Sequence, residues 1–495
     1  MPALLIHVYP ANLADNAYVM VHVLETPAET DCDPGARELT AQYDKDPYAS
    51  LMLQPSPQSA VLNCGKALYQ SLAAVPRFAC TQFVAGAYTP IYLLLESPAS
   101  ENLPWEALWH GQQDCFFALM PNWPIVRLPP TSRQTDRKTW IETELTILLV
   151  LAAAPGDGAV DAFGEWREIW SQLVALPAAA KLRVHVLTCQ DEILDEIEAL
   201  PNPVVRITGE PLTSAQTFHQ AVSVLAPNIV HFFCHGSAEA AEPLLNLATP
   251  GDYYGPKKAL GEINLRMTEL QALAQSPGLW LVTLNCCQGA RSSGRVRSLA
   301  AKLAERGVPV VVAMRESVDF RKAHAFAGEY YKSLIAALAA LLPDAAAAQR
   351  GDVIEIPERV WSDAMHPSRM RLAQPARDED PAWTLPVVYL QRGPLKLIAR
   401  PRSASVVMLL PQPAQLTITR LRMQASTFRN MATQTAGSEN QAFVQQLAAV
   451  ADQNDREADI AERDALRVFV DAAGVTELQA SMAAERLMSL ESRLA

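Results

Sequence analysis

The chain has 495 residues, of which 49% are hydrophobic and 19% charged. It is too long for one ordinary core and too apolar for wholesale disorder, and at about 150 residues per domain it divides into roughly two to four units. A formal net charge of −12 argues against general nucleic-acid binding, which depends on basic patches that displace counterions.

In chain order, residues 3–9 and 18–25 read as strands, 61–75 as a helix and 91–97 as a strand. The segment LPWEALW (103–109) reads as a loop or short helix, with Trp105 as a packing anchor. RLPPTSRQTDRK (127–138) is polar and proline-containing, the pattern of a domain boundary. Beyond it strands and helices alternate. LTILLVLAAAP (145–155) is a continuous apolar run, as expected of a strand covered on both faces of a parallel sheet. A helix over 162–176, a strand over 182–188 and a helix over 213–226, capped by Thr213 or Ser214, follow. Next come a strand over 228–236, a helix over 267–275 and a strand over 279–285. A helix over 296–306, a strand over 308–314 and a long helix over 321–341 come after, with Pro343 expected to end the last. A surface loop is expected up to about residue 383, then a strand over 385–391. The alternation predicts an α/β fold: a mostly parallel sheet with helices on both faces.

The last ninety or so residues differ. Segments 404–410 and 416–423 read as a hairpin, and helices follow from Ser438 onward. Phe443, Leu447 and Val450 share one face there; Gly474 reads as a helix C-cap, and Thr476 with Gln479 as a capping box. The expected organisation is an N-terminal α/β subregion over 1–135, a larger α/β domain over 140–400 and a C-terminal hairpin-plus-helix module over 401–495.

The eight cysteines (Cys32, Cys64, Cys80, Cys115, Cys189, Cys234, Cys286 and Cys287) follow no disulfide-framework spacing. The first twenty residues lack a basic segment followed by a long apolar core, and no run reaches about 18 apolar residues. A reducing, cytoplasmic location with thiols and no membrane partner is the reading.

Two strand ends carry reactive groups. One delivers Cys234–His235–Gly236, the other Cys286–Cys287–Gln288–Gly289. In an open parallel sheet, ligands bind beyond the carboxyl ends of the strands. A thiol and an imidazole side by side there form a nucleophilic unit, with the imidazole favouring the thiolate and later protonating a leaving amine. The backbone N–H groups of Gly236 and the cysteine supply an oxyanion hole. The residues alone leave a second reading open, in which the cysteines are core filler and the histidine is structural. A zinc site from Cys234, His235, Cys286 and Cys287 fits poorly, because adjacent strand residues point to opposite faces. A phosphatase loop needs five residues between Cys and Arg, whereas Cys287 and Arg291 are separated by three.

The order of the segments resembles the CHAT family, the caspase-like branch of cysteine peptidases that includes relatives of separase. GKALYQSL (65–72), LPWEALW (103–109) and ILLVLAAAP (147–155) are similar to its N-terminal subregion and first long strand. VHFFCHG (230–236), LVTLNCCQG (281–289), LAAKLAERGVPVVVAMRESVDF (299–320) and WTLPVVYLQ (383–391) are similar to its histidine strand, its cysteine strand and the elements that close the fold. The resemblance implies a caspase-like fold and a cysteine endopeptidase acting on a protein substrate through a dyad of His235 and Cys287. Cys286 then stands where the family pattern has a small residue, and His231 is structural. The resemblance further implies no metal or other cofactor, an oxyanion hole from Gly236 and Cys287, and regulation by a protein activator or inhibitor in a bacterial stress or antiviral circuit. In related folds the loop after the first α/β strand shapes the substrate pocket, which makes Asp157 and Asp161 candidates for favouring Arg or Lys before the cut. The competing expectation is a catalytically inactive adaptor that keeps the fold for protein–protein contacts.

Overall fold

The computed structural model describes residues 3–10, 16–24, 39–42, 60–73, 78, 83–84, 86–130, 139–141, 144–154, 161–177, 181–200, 204–237, 242–255, 261–276, 278–286, 289, 297–347, 353–374, 380–391, 393–399, 410, 412–435, 441–470, 486–488, 490–491 and 494. By their contacts these fall into two compact units. One comprises Met1–Phe218 with Ala226–Arg400, the other His219–Leu225 with Pro401–Ala495.

The first unit is built on a sheet of twelve described strands. In chain order they begin with β1 (Ala3–Pro10), β2 (Asn16–Leu24), β3 (Leu39–Gln42), β4 (Ile91–Leu95) and β5 (Ile125–Leu128). There follow β6 (Leu145–Leu151), β7 (Leu182–Thr188), β8 (Arg206–Pro211) and β9 (Ile229–Phe233). Then β10 (His235–Ser237), β11 (Leu244–Leu247) and β12 (Ile263–Arg266) form a separate antiparallel sheet, before β13 (Leu281–Leu284), β14 (Val310–Met314) and β15 (Pro386–Leu390) return to the large one. Its spatial order is β8–β7–β6–β9–β13–β14–β15–β5–β4–β1–β2–β3. Pairing is parallel from β8 to β14 and from β15 to β1, and antiparallel at β14–β15, β1–β2 and β2–β3.

The central strands follow from their composition. All seven positions of β6, LTILLVL, are buried, so both of its faces are covered, as in a parallel sheet lined by helices. Helix α1 (Ala60–Ala73) approaches the Trp105–Ala107 turn so closely that a Cβ on Gly65 would sit 2.1 Å from the Ala107 carbonyl oxygen. Trp105 is buried there and donates its indole N–H to the Ser100 carbonyl at 2.9 Å, the packing role expected of it. Helix α2 (Ala162–Val174) turns Ala162, Trp166, Ile169 and Leu173 inward. It packs against helix α3 (Phe320–Ala347), where a Cβ on Gly328 would lie 3.1 Å from Glu168.

Several expectations need correction. Arg127 and Leu128, read as the start of a linker, end a buried strand. The long helix runs through Pro343 to Ala347, a stretch rich in alanine, the strongest helix former. The expected loop before residue 383 contains a strand, Val353–Ile356, and a helix, Arg359–Ala373. The strand expected over 228–236 stops at Phe233, and His235 opens a different sheet.

In the second unit, segment 416–423 is no hairpin strand. It lies inside helix α4 (Gln412–Thr435). Its β-branched residues suggested a strand, but the buried positions are Ile418, Ala425 and Ala432, spaced by sevens as on one helical face. The partner segment 404–409 lies outside the described residues, as do Gly474, Thr476 and Gln479. Helix α5 (Gln441–Val470) buries Leu447, while Phe443 and Val450 are exposed. Glu462, 1% exposed, accepts hydrogen bonds from Arg486 at 2.7 and 3.0 Å and from Arg422. No helix among the described residues is long and apolar enough to cross a membrane.

Candidate active site

At the end of β9 the chain bends at Cys234 and enters β10, where His235 pairs with Asn246 and Gly236 with Leu245 of β11. The His235 ring is fixed by one contact: its Nε2 lies 2.7 Å from the carbonyl oxygen of Ala154, just past the end of β6. A carbonyl oxygen only accepts, so Nε2 carries the proton, and Nδ1 is the basic nitrogen of the neutral ring. Ala154 is itself held in place. The Ala152 amide donates to Phe233 and the Ala248 amide to Ala152, at 2.9 and 2.8 Å, so the ends of β6, β9 and β11 are tied together.

The cysteine strand, β13, lies beside β9 in parallel register, His231 opposite Thr283. One further backbone bond, Asn285 N–H to the Phe232 carbonyl at 2.9 Å, extends the ladder past Leu284. Cys286 is buried, 2% exposed. A Cβ on Gly289 would lie 3.1 Å from Leu284 Cβ and 3.2 Å from Cys286 Sγ, so only glycine fits against this thiol without displacing it. Cys286 is thus packed inward, against Gly289. Cys287 and Asp157 lie outside the described residues.

Asp161 caps α2, its Oδ1 accepting the Gly164 amide at 3.0 Å. Nearby, Ala154, Cys189, Ala248 and Tyr253 form a small apolar cluster. Burial pushes the Cys189 thiol up to about 12, so it stays protonated and unreactive. Thr249 and Asp252 form a reciprocal capping box at the start of the helix Pro250–Tyr254. The Tyr254 hydroxyl donates to Glu192 at 2.7 Å and accepts the Asp191 amide at 2.8 Å. Among the described residues no group of three or more His, Cys, Asp or Glu side chains converges to hold a metal ion.

Beneath the two strand ends lies a polar cluster that sequence reasoning missed. Glu165 of α2 and His231 of β9 are both fully buried, with Nε2 of His231 3.0 Å from Glu165 Oε1, close enough for ion pairing but off the hydrogen-bond direction. Asn285 donates Nδ2 to the same Oε1 at 2.6 Å and to the Ala323 carbonyl at 3.1 Å. His324 of α3 places Nε2 3.8 Å from Glu165 Oε2. Tyr331 sets its ring edge-on to His231 and donates its hydroxyl to Thr283 at 3.4 Å; burial, foremost, pushes that phenol well above its usual range. The available signal was a single charged residue, Glu165, on the inward stripe of an otherwise apolar helix face.

The family model described as the CHAT domain matches residues 62–367. No curated protein matches the chain. Among solved structures, two crystal structures of the Saccharomyces cerevisiae separase–securin complex, at 2.6 and 3.0 Å resolution, align at 12% and 11% identity, each with a TM-score of 0.33. Each alignment covers 67% of this chain and 17% of the matched one, so the chain spans under a fifth of that length.

Proposed function

We propose, from the premise that this chain belongs to the CHAT domain family, that it is a caspase-like cysteine endopeptidase acting through His235 and Cys287. The pairing of β9 with β13 carries the reading. These strands are parallel neighbours with His231 opposite Thr283, and His235 and Cys287 each stand four positions further along their chains. The Ala154 contact supports it from the other side: with Nε2 donating to that carbonyl, Nδ1 of His235 is left as the proton acceptor.

In this mechanism Nδ1 takes the thiol proton of Cys287, and the thiolate attacks the peptide carbonyl. The N–H groups of Gly236 and Cys287 hold the developing oxyanion. The imidazolium gives its proton to the departing amine. Water, deprotonated by the same nitrogen, then releases the thioester. The Ala154 carbonyl stabilises the imidazolium, so no orienting carboxylate, metal or other cofactor is required.

The partners we propose are a protein substrate cut at restricted sites and a protein activator or inhibitor, in the cytoplasm, within a stress or antiviral response. Asp157 and Asp161 are the residues proposed to favour Arg or Lys before the cut.

The test is covalent labelling of the full chain by a peptidyl acyloxymethyl ketone. Wild type and Cys286→Ala are expected to label; Cys287→Ala and His235→Ala are not. Equal labelling of Cys287→Ala overturns the nucleophile assignment. No labelling of any form, with intact folding, leaves a scaffold that makes protein contacts without catalysis.

A further inference from the structure

We propose that Glu165 is a positioning residue for the nucleophile at Cys287, acting through Asn285; the inference rests on the dyad reading above. The regular pairing of β13 stops at Leu284, and the last described backbone bond to β9 is made by Asn285. The described backbone bonds further on, Gly289 N–H to the Cys286 carbonyl and Ala300 N–H to the Gly289 carbonyl, do not reach β9, so Asn285 is the last described tie between the two strand ends. Its side chain is anchored as well. Nδ2 of Asn285 donates to Glu165 Oε1 and to the Ala323 carbonyl, tying the strand end to α2 and α3 at once. Both partners are acceptors, so the amide has one orientation.

The choice of a carboxylate is informative. Glu165 is fully buried, and an ionised carboxyl in such a place is costly unless paired and hydrogen-bonded. An apolar side chain would fill the space without that cost. The carboxylate instead gives what an apolar group cannot: one oxygen, Oε1, meets Asn285 on the cysteine strand and His231 on the histidine strand. Asn285 is two residues before Cys287, and His231 four before His235. Glu165 thus references both strand ends to one point on α2. At 2.6 Å the Asn285–Glu165 bond is a short, direct link between the strand end and α2.

The other groups facing Glu165 follow the same plan. His324 approaches Oε2, Tyr331 backs His231, and Thr283 receives the Tyr331 hydroxyl. Gly164 leaves room for this arrangement, since a Cβ there would come within 2.7 Å of the His324 ring.

The experiment measures the inactivation rate constant and affinity of the peptidyl ketone on full-length protein, each variant first shown folded by circular dichroism. Glu165→Gln keeps an acceptor for Asn285 and is expected to label within about threefold of wild type. Glu165→Ala and Asn285→Ala each lose about tenfold or more in rate constant, with probe affinity unchanged, because a small misplacement of a reacting group is expensive. The double variant is no slower than the slower single, the non-additivity expected of residues acting as one unit. Should Glu165→Ala fail to fold, Asn285→Ser takes its place, since serine reaches neither acceptor. Folded alanine or serine variants that label at the wild-type rate, or additive losses in the double variant, overturn the positioning role and leave the dyad standing. Failure of wild type itself to label overturns the dyad reading and this proposal with it.

Discussion

Among the described residues, two carboxylates meet a basic side chain in full burial, and the two pairs are built differently. In the N-terminal half, Arg127 of β5 binds Glu106 by two hydrogen bonds, Nε to Oε1 at 3.0 Å and Nη2 to Oε2 at 2.9 Å. Two further bonds go from Nη1 to the Glu101 carbonyl and from Nη2 to the Leu103 carbonyl, at 2.6 and 3.3 Å. Beneath the candidate dyad, Glu165 and His231 touch at 3.0 Å, yet Glu165 Oε2, both His231 nitrogens, Asn285 Oδ1 and His324 Nε2 make no hydrogen bond among the described residues. The first is a two-toothed lock between strand and turn. The second is under-satisfied and lies between the ends of β9 and β13. A guanidinium stays protonated and its fork spans both oxygens of a carboxylate. The Arg127 pair is therefore matched at both Glu106 oxygens, whereas Asn285 and His231 meet Glu165 at the single oxygen Oε1.

The largest expected effect tests the lock. Arg127→Ala removes the hydrogen-bonding partner of the buried Glu106 carboxylate, and should cost about 3–5 kcal/mol in urea unfolding. Glu165→Gln, which keeps an acceptor for the Asn285 bond, should cost less than about 1.5 kcal/mol. Equal losses would erase the distinction. Acid provides a second measure of the lock. Burial pushes the Glu106 carboxyl up, but the charge and hydrogen bonds of Arg127 outweigh this, and its net position is below the ordinary 4.5. A carboxyl depressed in the folded state stabilises above its unfolded pKa, and that contribution is lost as pH falls through the folded value. Wild-type stability should therefore fall as pH drops below 4.5, and Glu106→Gln should be less stable at pH 7 with a shallower acid slope.

A smaller effect probes the Glu165 cluster. Gly164→Ala places a methyl within 2.7 Å of the His324 ring. Overpacking of this kind costs about 1–3 kcal/mol. Because it displaces His324 from beside Glu165, it should also slow probe labelling. A stability loss with unchanged labelling would show that His324 is packing alone.

The same contrast explains what the sequence could reveal. The apolar core speaks through composition: LTILLVL, NIVHFF and VPVVVAM are apolar runs whose burial follows from hydrophobicity. The residues of the proposed dyad stand out in the sequence as well, because Cys234–His235 and Cys286–Cys287 follow such runs. Helix α4 was misread because a short Thr/Ile run carries local strand preference, and the heptad spacing of Ile418, Ala425 and Ala432 shows only over a longer window. Arg127 with Glu106, and Glu165 with Asn285, were hidden for a different reason. The second pair is separated by 120 residues. A contact of that range depends on strand order, which no local pattern in a single chain states. A lone Glu on an apolar stripe announces that a partner exists without saying which.

Asp161 carries the smallest expected effect and stands between structural and chemical use of a carboxylate. Its Oδ1 caps α2 through the Gly164 amide, so Asp161→Ala should cost about 1 kcal/mol, the usual loss for an N-cap. Asp161→Asn keeps a carbonyl oxygen for that amide and removes only the charge, so its unfolding midpoint should match wild type within a few tenths of a kcal/mol. The two variants therefore separate the cap from the charge. With peptidyl ketones ending in Arg, Lys or Leu, a fall in the preference for basic residues in Asp161→Asn would assign the charge to substrate selection. An unchanged preference would reduce Asp161 to a helix cap and leave Asp157 alone to carry any electrostatic selectivity of that loop.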